Sequence, residues 1–155
     1  MSKVLDTGVQ NVRNVSRYIF GQSCLGKLAQ ILNTQCTEPN GPTVYFVDSY
    51  FRENDSLIDR LPVEEFDQVV FVPTVKEPTT DFVDAMCAQI LNERSTIPRA
   101  IVGIGGGITL DTTKAISNLI GNGGRAEDYQ GWDLLEKPGV YKVGIPTISG
   151  TGAEA

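Results

Sequence analysis

Four apolar runs set the limits on how this chain folds: TVYFVD (43–48), QVVFV (68–72), AIVGI (100–104) and KVGIP (142–146). None shows the polar–apolar alternation of a half-buried strand, so each reads as a strand covered on both faces. A shorter run, RYIF (17–20), reads as a further strand ahead of them. Helix-compatible stretches lie between, at 25–32, 81–94 and 110–120. In the second, Phe82, Met86, Ile90 and Leu91 recur at helical spacing behind a Thr80–Asp81 start signal. In the third, Ile116, Leu119 and Ile120 form an apolar stripe that Gly121 can stop. Strands alternating with helices specify an α/β fold: a parallel sheet with helices on both faces. In such sheets ligands bind where the carboxyl ends of the strands open on a crevice.

The composition removes several classes of function. With 155 residues, 41% hydrophobic and 21% charged, the chain has the make-up of one globular domain. A net charge of −6 leaves no basic surplus to neutralise nucleic-acid phosphates. No apolar run approaches the roughly 20 residues of a membrane span, and no signal peptide opens the chain, which places it by default in the cytoplasm. Cys24, Cys36 and Cys87 are an odd, widely spaced set that reads as buried thiols of a reducing compartment. Histidine is absent, which excludes an imidazole base or a His-ligated metal built from this chain alone. Residues 1–16 are polar and weakly patterned, as expected of an N-terminal arm. Residues 17–155 are then the folded domain. The chain stops just as GIPTISGTGAEA starts a new element, which is expected of the first part of a longer polypeptide.

Three glycine-containing loops are candidate sites. GQSCLGKL (21–28) has the G-x4-G-K spacing of a phosphate-binding P-loop, but Leu28 stands where a magnesium-binding hydroxyl is required. The second loop, GIGGGITLD (103–111), is not the G-x-G-x-x-G dinucleotide fingerprint, because Ile108 occupies the place of the last glycine. Yet Gly105, Gly106 and Gly107 let main-chain amides approach a phosphate pair, and the following helix aims its positive end there. A strand–helix turn needs one or two glycines, and each further one costs roughly 0.5–1 kcal/mol of chain entropy. In the third, PTISGTGAE (146–154), Thr147, Ser149 and Thr151 alternate, so hydroxyls on one side can hydrogen-bond a ribose, a phosphate or a carboxamide. Asp48 closes its strand, where it can either accept from a ribose diol, favouring NAD over NADP, or cap a helix. Asp111 and Lys114 can form a surface pair, or Asp111 can reach the ligand.

These residues resemble a known family. GIGGGITLDTTKAI is similar to the GGGSxxDxAKAI signature of the iron-containing (group III) alcohol dehydrogenases, relatives of glycerol dehydrogenase and dehydroquinate synthase. PTISGTGAEA resembles the family's PTTAGTGSE segment, FVDSY its second-strand acid, EPTT (77–80) its N-P-T turn, and YIFGQSCLGKLAQIL its I-x-F-G-x-G opening. The wording of 126–155 looks most like the branch containing 3-deoxy-octulosonate 8-oxidases, which oxidise a terminal hydroxyl of an acidic eight-carbon sugar in lipopolysaccharide biosynthesis. The resemblance implies a Rossmann-like domain like the N-terminal one of dehydroquinate synthase. It implies NAD, with Gly105, Gly106 and Gly107 at its pyrophosphate and Asp48 at the adenosine ribose. Asp111, Thr147, Ser149 and Thr151 would lie towards the nicotinamide half. Ile108 and Ile148 depart from the family's serine and threonine and weaken the side-chain contacts. A divalent iron or zinc ion, held by one aspartate and three histidines, is expected in a helical domain absent from this chain. The expected partners are a small-molecule alcohol or sugar and a second copy of the chain in a homodimer. The alternatives from the residues themselves are a nucleotide-binding module without turnover and a P-loop phosphotransferase.

Overall fold

A computed structural model describes residues 15–36, 41–53, 55–94 and 96–153; most of the expected arm at 1–16 lies outside them. Four strands, β1 (Thr43–Asp48), β2 (Gln68–Val72), β3 (Ala100–Gly105) and β4 (Lys142–Pro146), form a single parallel sheet in the order β2-β1-β3-β4. The helices are α1 (Leu28–Gln35), α2 (Asp55–Ile58), α3 (Thr80–Arg94) and α4 (Gly107–Asn122). Every residue of β1 and β3 is buried, as uninterrupted β-branched and aromatic runs require at the centre of a covered sheet.

Strand alternation then sorts these side chains onto two cores. Val44 and Phe46 of β1 and Ile101 of β3 pack with Val83, Cys87 and Ile90 of α3 and Ile116 and Leu119 of α4. Tyr45 and Val47 of β1, with Val102 and Ile104 of β3, pack on the other face against Leu28 and Leu32 of α1 and against Leu61. Helices on both faces are thus required by sequence and present in the fold. The edge strand β4 packs only Val143 and Ile145 and leaves Lys142, Gly144 and Pro146 exposed. Among the described residues no helix is long and apolar enough to cross a membrane.

Four sequence expectations need correction. Residues 17–20 form no strand: Phe20 is 91% exposed, and a four-residue apolar run beside Gly21 finds no neighbouring strand. Residues 21–28 are therefore not a strand-to-helix phosphate loop, and they open as a 3-10 turn over Cys24–Lys27 with Ser23 at φ 62°. Thr79, not Thr80, caps α3: its hydroxyl accepts from the amide of Phe82 at 3.2 Å, and Thr80 is already helical. Finally, α4 starts at Gly107, three residues ahead of the expected Leu110, because glycine at a negative φ enters a helix without strain.

Candidate dinucleotide site

The strand order reverses between β1 and β3: the chain leaves β1 towards β2 on one side and leaves β3 towards β4 on the other. A parallel sheet opens a crevice at such a reversal, outside the carboxyl ends of its strands. Asp48 ends β1 there and Gly105 ends β3, with Val47 opposite Ile104 in the preceding register. The sequence candidates Asp48 and Gly105–Gly107, far apart along the chain, thus come together across one strand pair.

The three glycines do different things. A Cβ on Gly105 would lie 2.7 Å from Oγ1 and 2.8 Å from Cβ of Thr109, and 2.9 Å from Cβ of Asp48. This glycine is needed for packing, because strand, helix and Asp48 meet too closely for a side chain. Gly106 precedes the first helical residue, with φ −85° and ψ −166°, a backbone that any residue adopts. A Cβ there would meet only the tip of the exposed Ile148 side chain, at 3.3 Å, and one on Gly107 would touch Thr151 at an ordinary 3.5 Å. The fold itself therefore tolerates side chains at 106 and 107, and their bareness points outward, to something that approaches the main chain.

The start of α4 has the chemistry that an anion requires. The first amides of a helix have no carbonyl partner within it, and they carry the positive end of its dipole. No side chain caps this end. Beside it the hydroxyl of Thr109, fully buried, has no hydrogen-bond partner; that of Thr112, one turn further into the core, has none either. An uncapped helix start, two glycines that face only yielding or ordinary side-chain contacts and an unpartnered buried hydroxyl fit a phosphate group.

The remaining candidates border this point. Past β4, the amide of Thr147 donates to the carbonyl of Gly105 at 2.9 Å, which carries the chain across the mouth of the loop. Strand alternation does not continue beyond it, because Gly150 (φ 87°) and Gly152 (φ 73°) turn the backbone through left-handed conformations. Thr147, Ser149 and Thr151 are exposed on this turn, and the Thr151 hydroxyl accepts from the amide of Ala153 at 3.3 Å. Asp111 lies on an exposed face of α4, paired with Lys114 at 3.0 Å, so the surface pair left open by the sequence is formed. Asp48 is 9% exposed, and its Oδ1 accepts from the amide of Tyr50 at 2.9 Å and the hydroxyl of Thr74 at 3.2 Å. Capping and ligand binding are compatible here, since both bonds fall on one oxygen. Thr74 and Thr109 were not singled out from sequence; only strand order and helix packing bring them to the crevice.

Titratable groups with large shifts lie elsewhere. Burial, aided by Asp84, pushes the Cys87 thiol up to about 12, and burial raises the Tyr45 phenol, which donates to the Pro62 carbonyl. Among the described residues, no group of three His, Cys, Asp or Glu is placed to hold a metal ion.

Residues 15–155 match the sequence profile described as iron-containing alcohol dehydrogenase. The chain belongs to that family. Over 55 residues, 36% of this chain and 14% of the relative, it is 54% identical to an NAD-dependent methanol dehydrogenase of Bacillus methanolicus. Its fold is similar to that of a sulfoacetaldehyde reductase from Bifidobacterium kashiwanohense solved in complex with NAD+ (TM-score 0.65, 23% identity, 86% of this chain and 35% of that one). It is also similar to an iron-containing alcohol dehydrogenase from Thermotoga maritima (TM-score 0.61, 26% identity, 84% and 36%). The chain thus spans only about a third of the length of these two solved proteins.

Proposed function

We propose that this chain is the dinucleotide-binding part, over residues 17–155, of an NAD-dependent, metal-assisted oxidoreductase that interconverts an alcohol and its carbonyl compound. The observation that carries this reading is the uncapped start of α4, facing the sheet reversal beside two glycines that the fold does not itself require. The amides of the first turn of α4 and the bare main chain of Gly106 and Gly107 hold the pyrophosphate. Asp48 accepts from the adenosine ribose, and its charge disfavours a 2′-phosphate. Thr147, Ser149, Thr151 and Asp111 line the path towards the nicotinamide. NAD supplies the hydride acceptor when bound, while these residues fix where its ring stands and keep it oriented. Family membership and the NAD-bound neighbour support this assignment.

The substrate class is a small alcohol or aldehyde, the kind of compound for which the methanol dehydrogenase and the sulfoacetaldehyde reductase are named. The narrower substrate, the C8 hydroxyl of 3-deoxy-octulosonate, rests on the wording of residues 126–155 alone. Titration of the chain with NADH, followed by nicotinamide fluorescence and by heat, tests the assignment. Saturable binding that Gly107→Asp abolishes is expected, and no binding at millimolar NADH refutes it.

A further inference from the structure

The Asp48 carboxylate is held by two elements. The bond from the Tyr50 amide is local: it closes the 3-10 turn over Ser49–Phe51. The bond from Thr74 is not. Thr74 stands two residues past the end of β2, and it reaches Asp48 because β2 lies beside β1 with Val72 opposite Asp48. A carboxylate held by one bond still rotates about its last torsion, whereas a second donor from another element fixes its plane. Both donors take Oδ1, which leaves Oδ2 to meet a ligand. No ion pair among the described residues includes Asp48, and Arg52, in the same turn, stacks over the ring of Phe71 at 4.7 Å. The orientation of this acid therefore depends on hydroxyl and amide donors rather than on a neighbouring cation.

We infer that Thr74 is a positioning residue for cofactor selection. Its hydroxyl sets the rotation of Asp48 so that Oδ2 presents to a ribose diol and confronts a 2′-phosphate. This rests on the dinucleotide reading above and deepens it. A carboxylate released from Thr74 turns about its last torsion, loses alignment with the diol and moves out of the way of a phosphate. Discrimination between NADH and NADPH is thus the property that Thr74 controls, more than affinity for dinucleotides in general.

The test measures NADH and NADPH dissociation constants for the unmodified chain and for Thr74→Val, Thr74→Ala and Thr74→Ser, by calorimetry, with melting curves for each. The preference for NADH is expected to fall by about tenfold in Thr74→Val, the scale set by one hydrogen bond to a charged group. Thr74→Ser, which keeps the hydroxyl, restores the preference, a rescue that loss of packing alone does not produce. Should Thr74→Val prove insoluble, Thr74→Ala shows the same fall. Unchanged preference in a folded hydroxyl-free variant overturns the inference while leaving the binding site standing. Failure of the unmodified chain to bind either dinucleotide overturns the underlying reading, and the inference with it.

Discussion

Alanine at each end of the glycine run separates what the fold requires from what a ligand requires. At 105 the new methyl lies 2.7–2.9 Å from Thr109 and Asp48, and two of the three atoms it meets are Cβ atoms fixed close to the backbone. Neither can swing aside, so β3, α4 and the end of β1 must move apart. Overpacking of this kind costs about 1–3 kcal/mol, which in a domain of this size lowers Tm by roughly 2–12 °C. At 107 the methyl makes an ordinary 3.5 Å contact with Thr151 in a helical conformation that alanine favours. The loss of unfolded-chain entropy then stabilises the protein by about 0.4–1 kcal/mol, a rise in Tm of roughly 1–4 °C. The same methyl stands among the first amides of α4 and weakens NADH binding by about tenfold or more. Differential scanning calorimetry and NADH titration of both variants give the answer. Equal destabilisation by the two substitutions, or unimpaired NADH binding by Gly107→Ala, refutes this division of roles.

Ile148→Thr uncovers Gly106 and adds a hydroxyl, so NADH should bind roughly two- to tenfold more tightly at unchanged Tm, read by fluorescence titration. Thr109→Val and Thr112→Val each remove an unpartnered buried hydroxyl; each should raise the urea midpoint by the equivalent of about 1 kcal/mol, and a lowered midpoint refutes the absence of a partner. The Cys87 thiol is raised from 9.0 to about 12, first by burial and then by Asp84, so the folded chain keeps a proton that the unfolded chain releases above pH 9. That contribution is complete below pH 9 and is lost as pH rises towards 12, at up to about 1.4 kcal/mol per pH unit. Urea denaturation of Cys87→Ala should accordingly show a shallower loss of stability above pH 9 than the unmodified chain, and parallel slopes refute the shift.

The strands were readable because full burial writes a simple pattern: AIVGI is apolar throughout, TVYFVD is polar only at its two ends, and both are buried along their length. The same rule misled at RYIF, where apolar residues stay exposed and composition carries no information about a pairing partner. Residues 105–107 stand out in the sequence as a candidate phosphate contact, but the separate reason for Gly105 lies in Thr109 and Asp48 and needs the packed fold to be seen. The start of α4 was placed late because glycine reads as loop in sequence, while its backbone here is compatible with helix. Thr74 left no local signal at all. Its relevance arises from β2 being laid beside β1, a choice of strand order that no short stretch of residues encodes.

That strand order also decides when the crevice comes into being. β1 and β3 are neighbours in the sheet but not in the chain, so their pairing must await the synthesis of β2 and α3 and the closure of the long loop that contains them. Until that closure Asp48 and Gly105 are strangers, and a partly collapsed chain with well-formed helices offers no bipartite grip on a dinucleotide. Nicotinamide fluorescence during refolding would therefore chart the arrival of long-range order, lagging behind helical circular dichroism.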